Sequence, residues 1–173
     1  MTVSNEEYPI GGIKPHGGEL INRVLIGEER TEALARAQTL KGLQVKSLVN
    51  LSDLELLAIG TYSPLAGFMV KEDYDHVIQE MHLSSGLVWS IPVTLAVTEE
   101  EATSISEGQD IALWQDDIPL AIMTVTERYR RNPAREAKEV YRTEDEAHPG
   151  VARLFRHGDI LLGGDIWLLN WPR

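Results

Sequence analysis

The sequence predicts an α+β domain in which short helices are added to a mixed or antiparallel β-barrel. Three observations carry that expectation. Residues 87–97, "LVWSIPVTLAV", alternate apolar with smaller or polar side chains at a period of two. "QDIALWQ" and "IPLAIMTVTERYR" flank Asp116 and Asp117 as two strands flank a hairpin turn. Helical segments occur, but they do not follow each strand in turn, which disfavours a doubly wound parallel sheet.

The segment "PIGGIKPHGGELINR" is too rich in Gly and Pro for a helix interior. "EERTEALARAQTLKGL" (28–43) is rich in helix formers, with Leu34, Ala37 and Leu40 facing inward. "LQVKSLVNL" reads as a strand that leads into a capped helix. That helix is expected to open at Ser52, because Ser52 and Glu55 have the S-x-x-E spacing of a capping box. Leu51 and Leu56 stand at the two positions of a hydrophobic staple. Gly60 supplies the left-handed turn that ends the helix.

"TYSPLAGFM" then forms an apolar loop that displays Tyr62, Leu65, Phe68 and Met69 among turn-forming Ser63, Pro64 and Gly67. "KEDYDHVIQEMHL" puts Tyr74, Val77, Ile78 and Met81 on one helical face. The strand at 87–97 carries Pro92, which marks an edge or a bulge. After the hairpin come a short helix in "PAREAKEVY", a helix from Pro149 and a last strand, "LLGGDIWLLNW". The Gly163–Gly164 pair in that strand reads as a bulge.

The 173 residues fit a single domain over 1–173, long enough to bury a core with no metal or disulfide. Cysteine is absent, which excludes thiol nucleophiles and Cys-based zinc sites. "MTVSNEEYPI" carries acids and no base, unlike a secretory signal. No apolar run approaches the ~18 residues that span a bilayer, so the expected location is cytoplasmic. The net charge of −11 repels nucleic-acid backbone and anionic membrane.

Five histidines are present, His16, His76, His82, His148 and His157, and none has metal-pair spacing with another, so structural or solvated roles are expected. Gly17 and Gly18, beside His16 and Lys14, fit a tight turn better than an anion nest, since no Walker or Rossmann spacing accompanies them. Half of the 16 basic residues fall between Glu127 and Arg156. If the strand from Ile118 continues, Arg128 and Arg130 share a face with Arg131 beside them. Such a group suits an anion or a partner's carboxylates, or it balances Glu127, Glu136 and Glu139 on a solvated surface. No G-x-S-x-G elbow occurs, and no catalytic carboxylate pair stands out among 27 acids.

Five segments change the expectation. "KPHGGELINR", "LSDLELLAIGTYSPLAGFM" (51–69), "WSIPVTLAV", "TEDEAHPGV" (143–151) and "LLGGDIWLLN" resemble, in this order, the N-terminal domain of ATP sulfurylase (sulfate adenylyltransferase). Together they cover most of the chain from Lys14 onward. The resemblance implies a PUA-like β-barrel with added helices. It also implies a parent reaction in which sulfate and ATP, with Mg²⁺, give adenosine 5′-phosphosulfate and pyrophosphate. In that family the catalytic groups sit in a separate domain C-terminal to this one, marked by Q-x-R-N-P-x-H. Arg131-Asn132-Pro133 spells part of that motif, but Tyr129 stands for its Gln and Arg135 for its His. It also lies inside the N-terminal match, so it is not read as the catalytic motif.

The chain is therefore expected to be an accessory domain, inactive alone, with the catalytic domain absent from it. No catalytic, metal or cofactor-binding residue is assigned to it; Mg²⁺ and ATP belong to the parent. Its expected partner is that catalytic domain, in cis or as a separate chain, with no membrane and with nucleic acid disfavoured. Ser52, Glu55, Gly60 and Phe68 then serve packing, and Arg128, Arg130 and Arg131 an interdomain or anion contact. Two alternatives stand: a free-standing regulatory or assembly protein, and a PUA-type RNA-binding module, against which the acidic charge argues.

Overall fold

The computed structural model describes residues 12–173 and the backbone of residues 2–3. Most of the acidic stretch "MTVSNEEYPI" and the first glycine of "PIGGIKPHGGELINR" lie outside the described residues. The fold is α+β with a mixed sheet, as the sequence predicts. The chain forms two compact units, one from Met1–Phe68, Gln109–Thr124 and Gly164–Arg173, the other from Met69–Gly108 and Val125–Gly163.

The first unit contains β1 (Thr2–Val3), β2 (Leu20–Ile21), α1 (Gly27–Ala37), β3 (Lys41–Gln44), α2 (Leu48–Ala58), β4 (Gly67–Phe68), β6 (Asp110–Gln115) and β7 (Ile118–Thr124). It also takes the second half of β9 (Ile160–Leu168). Its sheet runs β3–β6–β7–β9–β4. β3 and β6 are parallel, and the other neighbours are antiparallel. The hairpin turns at Asp116 in the left-handed region, φ 54°. Residues 41–44 therefore leave the helix proposed for 28–43 and form a strand. Ala37 of α1 packs on Ala112, Ile122 and Leu169, with Ala33, Leu34 and Trp114 around them.

α2 corrects the reading of its start. It opens at Leu48, and Ser47 is the N-cap, its hydroxyl accepting from the Asn50 N–H at 3.4 Å. Ser52 and Glu55 are exposed within the helix and form no capping box. The reason is burial: Leu51, Leu54, Leu57 and Ala58 all reach the core, which requires helical geometry before residue 52. Gly60 ends the helix with φ 83° and donates to Leu57 O at 3.2 Å. A Cβ on it would meet Ile21 O at 2.7 Å. The loop beyond is packed inward, with Leu65 and Phe68 buried. Gly67 admits the close pairing of β4 with β9: a Cβ there would lie 1.9 Å from Gly164 O. In that pairing Gly67 stands opposite Asp165 and Phe68 opposite Gly164, with no register shift between them.

The second unit contains α3 (Lys71–Glu80), β5 (Leu95–Val97), α4 (Glu99–Thr103), β8 (Glu127–Arg130), α5 (Pro133–Glu136), a π-helical turn (Ala137–Tyr141), α6 (Pro149–Arg156) and the first half of β9. β5 and β8 both pair antiparallel with Ile160–Leu162. The strand expected over 87–97 pairs in the sheet only at Leu95–Val97. Its first part folds back instead, with Leu83 N–H donating to Leu87 O and Trp89 N–H to Met81 O. Val88 and Ile91 are left exposed, while Val93, Leu95 and Val97 keep the predicted buried alternation. The strand from Ile118 does not continue through "ERYR": β7 stops at Thr124 and β8 pairs with a different stretch of β9.

Tyr74, Val77 and Ile78 form the buried face of α3 as expected, but Met81 does not extend it. Met81 caps the helix in the left-handed region and is half-exposed. A capping box stands instead at α4, where Thr98 and Glu101 each accept from the other's backbone N–H. It lies in the acidic run, where the S/T-x-x-E pattern is masked by neighbouring glutamates. α6 buries Val151 and Leu154 against Ala137 and Tyr141.

Candidate functional site

The predicted arginine cluster is the starting point. β8 exposes Arg128 and Arg130 on one face and turns Tyr129 inward. Each guanidinium has an internal partner. Arg128 Nη1 donates to Ala102 O at 2.5 Å and to Ile105 O at 3.0 Å. Arg130 pairs with Glu99 at the surface. Arg131 is buried and donates from Nη2 to Leu154 O and Gly158 O, both at 3.1 Å. Arg131-Asn132-Pro133 is thus an internal staple followed by an Asn N-cap, for Asn132 Oδ1 accepts from the Arg135 N–H.

Arg131 belongs to a buried polar network. Its Nη1 lies 3.8 Å from Glu136 Oε2, and the same oxygen accepts from Tyr74 Oη at 2.7 Å. The Tyr74 and Tyr129 rings stand 5.6 Å apart, and Tyr129 Oη donates to Met69 O at 2.7 Å. Burial pushes the Glu136 carboxyl above its ordinary range, against the pull of the Tyr74 bond and of Arg131 and Arg153. Burial first, and Glu136 second, push the Tyr74 hydroxyl far up. Both tyrosines stay protonated and act as donors. This network ties α3, β8, α5 and α6 together.

The histidines do not converge. His76 lies 3.8 Å from Glu80, His82 Nδ1 contacts Glu80 O, and His148 packs on the Tyr141 ring at 4.9 Å. Burial, with Arg153 and Arg131 nearby, holds the His157 imidazole below its ordinary value. Among the described residues no three His, Cys, Asp or Glu side chains come together as metal ligands. Gly17 and Gly18 form the tight turn, with Gly18 N–H donating to Pro15 O at 2.8 Å.

The first unit carries an open groove of about 450 Å³, which the sequence reading did not find. Leu25, Ala33, Ile122 and Trp167 supply its apolar walls, and Glu29 and Glu32 stand on α1 beside them. Arg36, also at the groove, is paired with Asp110. Thr124 Oγ1 donates to Asp110 at 2.6 Å; that bond and Arg36 hold the Asp110 carboxyl below its ordinary value. Arg23 stacks over the Trp167 ring at 4.3 Å and pairs with Asp165 at 3.2 Å. The only sequence signal for this place was the i, i+3 spacing of Glu29 and Glu32, which is common on exposed helices.

Comparisons with known proteins bear on what such a chain does. The family profile described as a PUA-like domain matches residues 13–171. The chain is 48% identical over 159 residues to the sulfate adenylyltransferase of Nostoc punctiforme, covering 91% of this chain and 40% of that protein. It is 47% identical over 173 residues to the sulfate adenylyltransferase of Microcystis aeruginosa, covering 98% of this chain and 42% of that one. The chain thus spans about two fifths of the length of these relatives. Among solved structures, a chain titled hexameric APS kinase from Thiobacillus denitrificans matches with TM-score 0.70 at 24% identity, over 93% of this chain and 27% of that chain. This last likeness is one of fold.

Proposed function

Because the chain belongs to the PUA-like domain family, we propose that it serves as the accessory N-terminal domain of a sulfate adenylyltransferase and is inactive by itself. The observation that carries this reading is identity of 47–48% to enzymes of that name over nearly the whole chain but only about two fifths of theirs. The parent reaction joins sulfate to the α-phosphorus of ATP, which needs cationic groups gathered around two anions. Here Arg128 and Arg131 donate to internal carbonyls rather than standing free for an anion. The Mg²⁺, the ATP and the chemistry are assigned to a catalytic domain, in cis or as a separate chain.

Arg130 is the exposed member of the trio that is paired with a surface side chain, Glu99, a partner it can exchange. It is the residue proposed to reach that domain. RNA is not the proposed ligand, given the charge of −11. The reading also places the protein in the cytoplasm; no helix among the described residues is long and apolar enough to cross a membrane.

The test measures pyrophosphate release from ATP and sulfate by the 173-residue chain, by a full-length relative such as the Nostoc punctiforme enzyme, and by that relative with this chain substituted for its matching segment. No turnover by the chain alone with activity in the chimaera supports the accessory role. Turnover by the chain alone, or a folded but inactive chimaera, overturns it.

A further inference from the structure

We propose that the groove of the first unit receives an arginine or lysine side chain from a partner protein. The charges around it are unevenly satisfied. Arg36 is neutralised by Asp110, and Arg23 by Asp165. Arg30, the other cation on this part of α1, is turned to Leu169 O and Asn170 Oδ1, both at 2.6 Å. Glu29 and Glu32 are exposed, and their side chains have no ion pair or hydrogen bond among the described residues. Two uncompensated carboxylates one helical turn apart therefore face a groove whose walls are apolar.

That combination matches one kind of guest. A basic side chain carries a three- or four-carbon stem and a charged head, so it can cover Leu25, Ala33 and Ile122 while its head reaches the two glutamates. An apolar side chain would leave the carboxylates partly desolvated and unpaired, which costs free energy. An anionic one would be repelled. Trp167 already holds one guanidinium, that of Arg23, so the indole is suited to cation contact. The groove is open rather than enclosed, which favours a residue projecting from a protein surface over an engulfed small molecule. The net charge of −11 draws a basic partner from a distance. This inference stands apart from the accessory-domain reading and does not require it.

The test is a titration of the ¹⁵N-labelled 173-residue chain with acetyl-Leu-Arg-Leu-amide and, separately, acetyl-Leu-Glu-Leu-amide, to about 10 mM peptide. The arginine peptide should shift the amides of Leu25, Ala33 and Ile122 and the Trp167 indole N–H saturably, and added salt should weaken the effect. The glutamate peptide should not. Glu29→Gln/Glu32→Gln, at two exposed positions where folding is not at stake, should weaken binding by about tenfold and leave the rest of the spectrum unchanged. No saturable shift, equal shifts with both peptides, or a variant that binds as well as the parent would each overturn the proposal.

Discussion

Tyr74 Oη donates to Glu136 Oε2 at 2.7 Å, joining two buried side chains that stand 62 positions apart. The same carboxylate lies 3.8 Å from Arg131, a long separation for an ion pair, so burial outweighs the cation and raises the Glu136 pKa. Tyr74 Oη is the hydrogen-bond donor that the structure gives this buried carboxyl. Such groups are costly to leave half-satisfied.

Tyr74→Phe should therefore destabilise the protein by about 1–3 kcal/mol, the cost of stranding a buried acceptor. Arg131→Met alone should cost about 3–5 kcal/mol, because it removes the cation 3.8 Å from buried Glu136 and leaves Leu154 O and Gly158 O without their donor. Arg131→Met/Glu136→Gln should lose clearly less than the sum of the two single variants. Urea denaturation of the parent, Tyr74→Phe, Arg131→Met, Glu136→Gln and the double variant measures this. Additivity of the single losses would mean that Arg131 acts only through its carbonyl contacts.

The caps make a paired prediction. Ser47→Ala and Thr98→Ala should each cost about 1 kcal/mol, since each removes a hydroxyl that accepts from a helix N-terminal N–H. Ser52→Ala, at an exposed interior position of α2, should be neutral or slightly stabilising. Thermal melts of the three variants separate the cap that the structure shows from the one that the motif suggested.

Phe68 is 3% exposed, so Phe68→Ala should cost about 3–5 kcal/mol. Gly67→Ala tests the backbone beside it, where a Cβ would stand 1.9 Å from Gly164 O. Overpacking of this kind costs about 1–3 kcal/mol or more, because a carbonyl must move. Soluble expression and denaturation midpoints report both. A Gly67→Ala protein as stable as the parent would mean that β4 does not approach β9 this closely.

Two carboxyls give pH dependences of opposite sign. Asp110 has a depressed folded pKa, so its contribution is present above its ordinary value of 3.8 and is lost as pH falls through the lower folded value. Thr124→Val removes its foremost cause, the hydrogen bond to Asp110, and should lower stability at neutral pH while making the loss in acid shallower. Glu136 has a raised folded pKa, so its contribution is full below its ordinary value of 4.5 and is lost as pH rises through the higher folded value. Stability measured from pH 3 to 7 for the parent and Thr124→Val, with those limits taken as roughly the carboxylate range, checks the first sign.

Local chemistry is legible where a residue acts on its own neighbours. The Gly60 stop, the Asp116 turn, the buried face of α3 and the 93–97 alternation all follow from spacing within a short window. The α2 start does not, because Ser52-x-x-Glu55 satisfies the motif as well as any cap. Only the need to bury Leu51 and Leu54 places the first turn at Leu48. Arg128, Arg130 and Arg131 read as one basic patch because sequence shows charge without partners. Ala102 O, Glu99 and Leu154 O, each more than 20 positions away, turn them into three separate internal contacts. The groove beside Glu29 and Glu32 was likewise invisible, since its walls come from α1, β7 and β9. The sequence by itself determined the fold class and the turns, which depend on near neighbours, and the kinship, which rests on five ordered segments that resemble one family. Tertiary structure alone decided which charges are paired, because pairing depends on which distant carbonyls and carboxylates the packed core brings within reach.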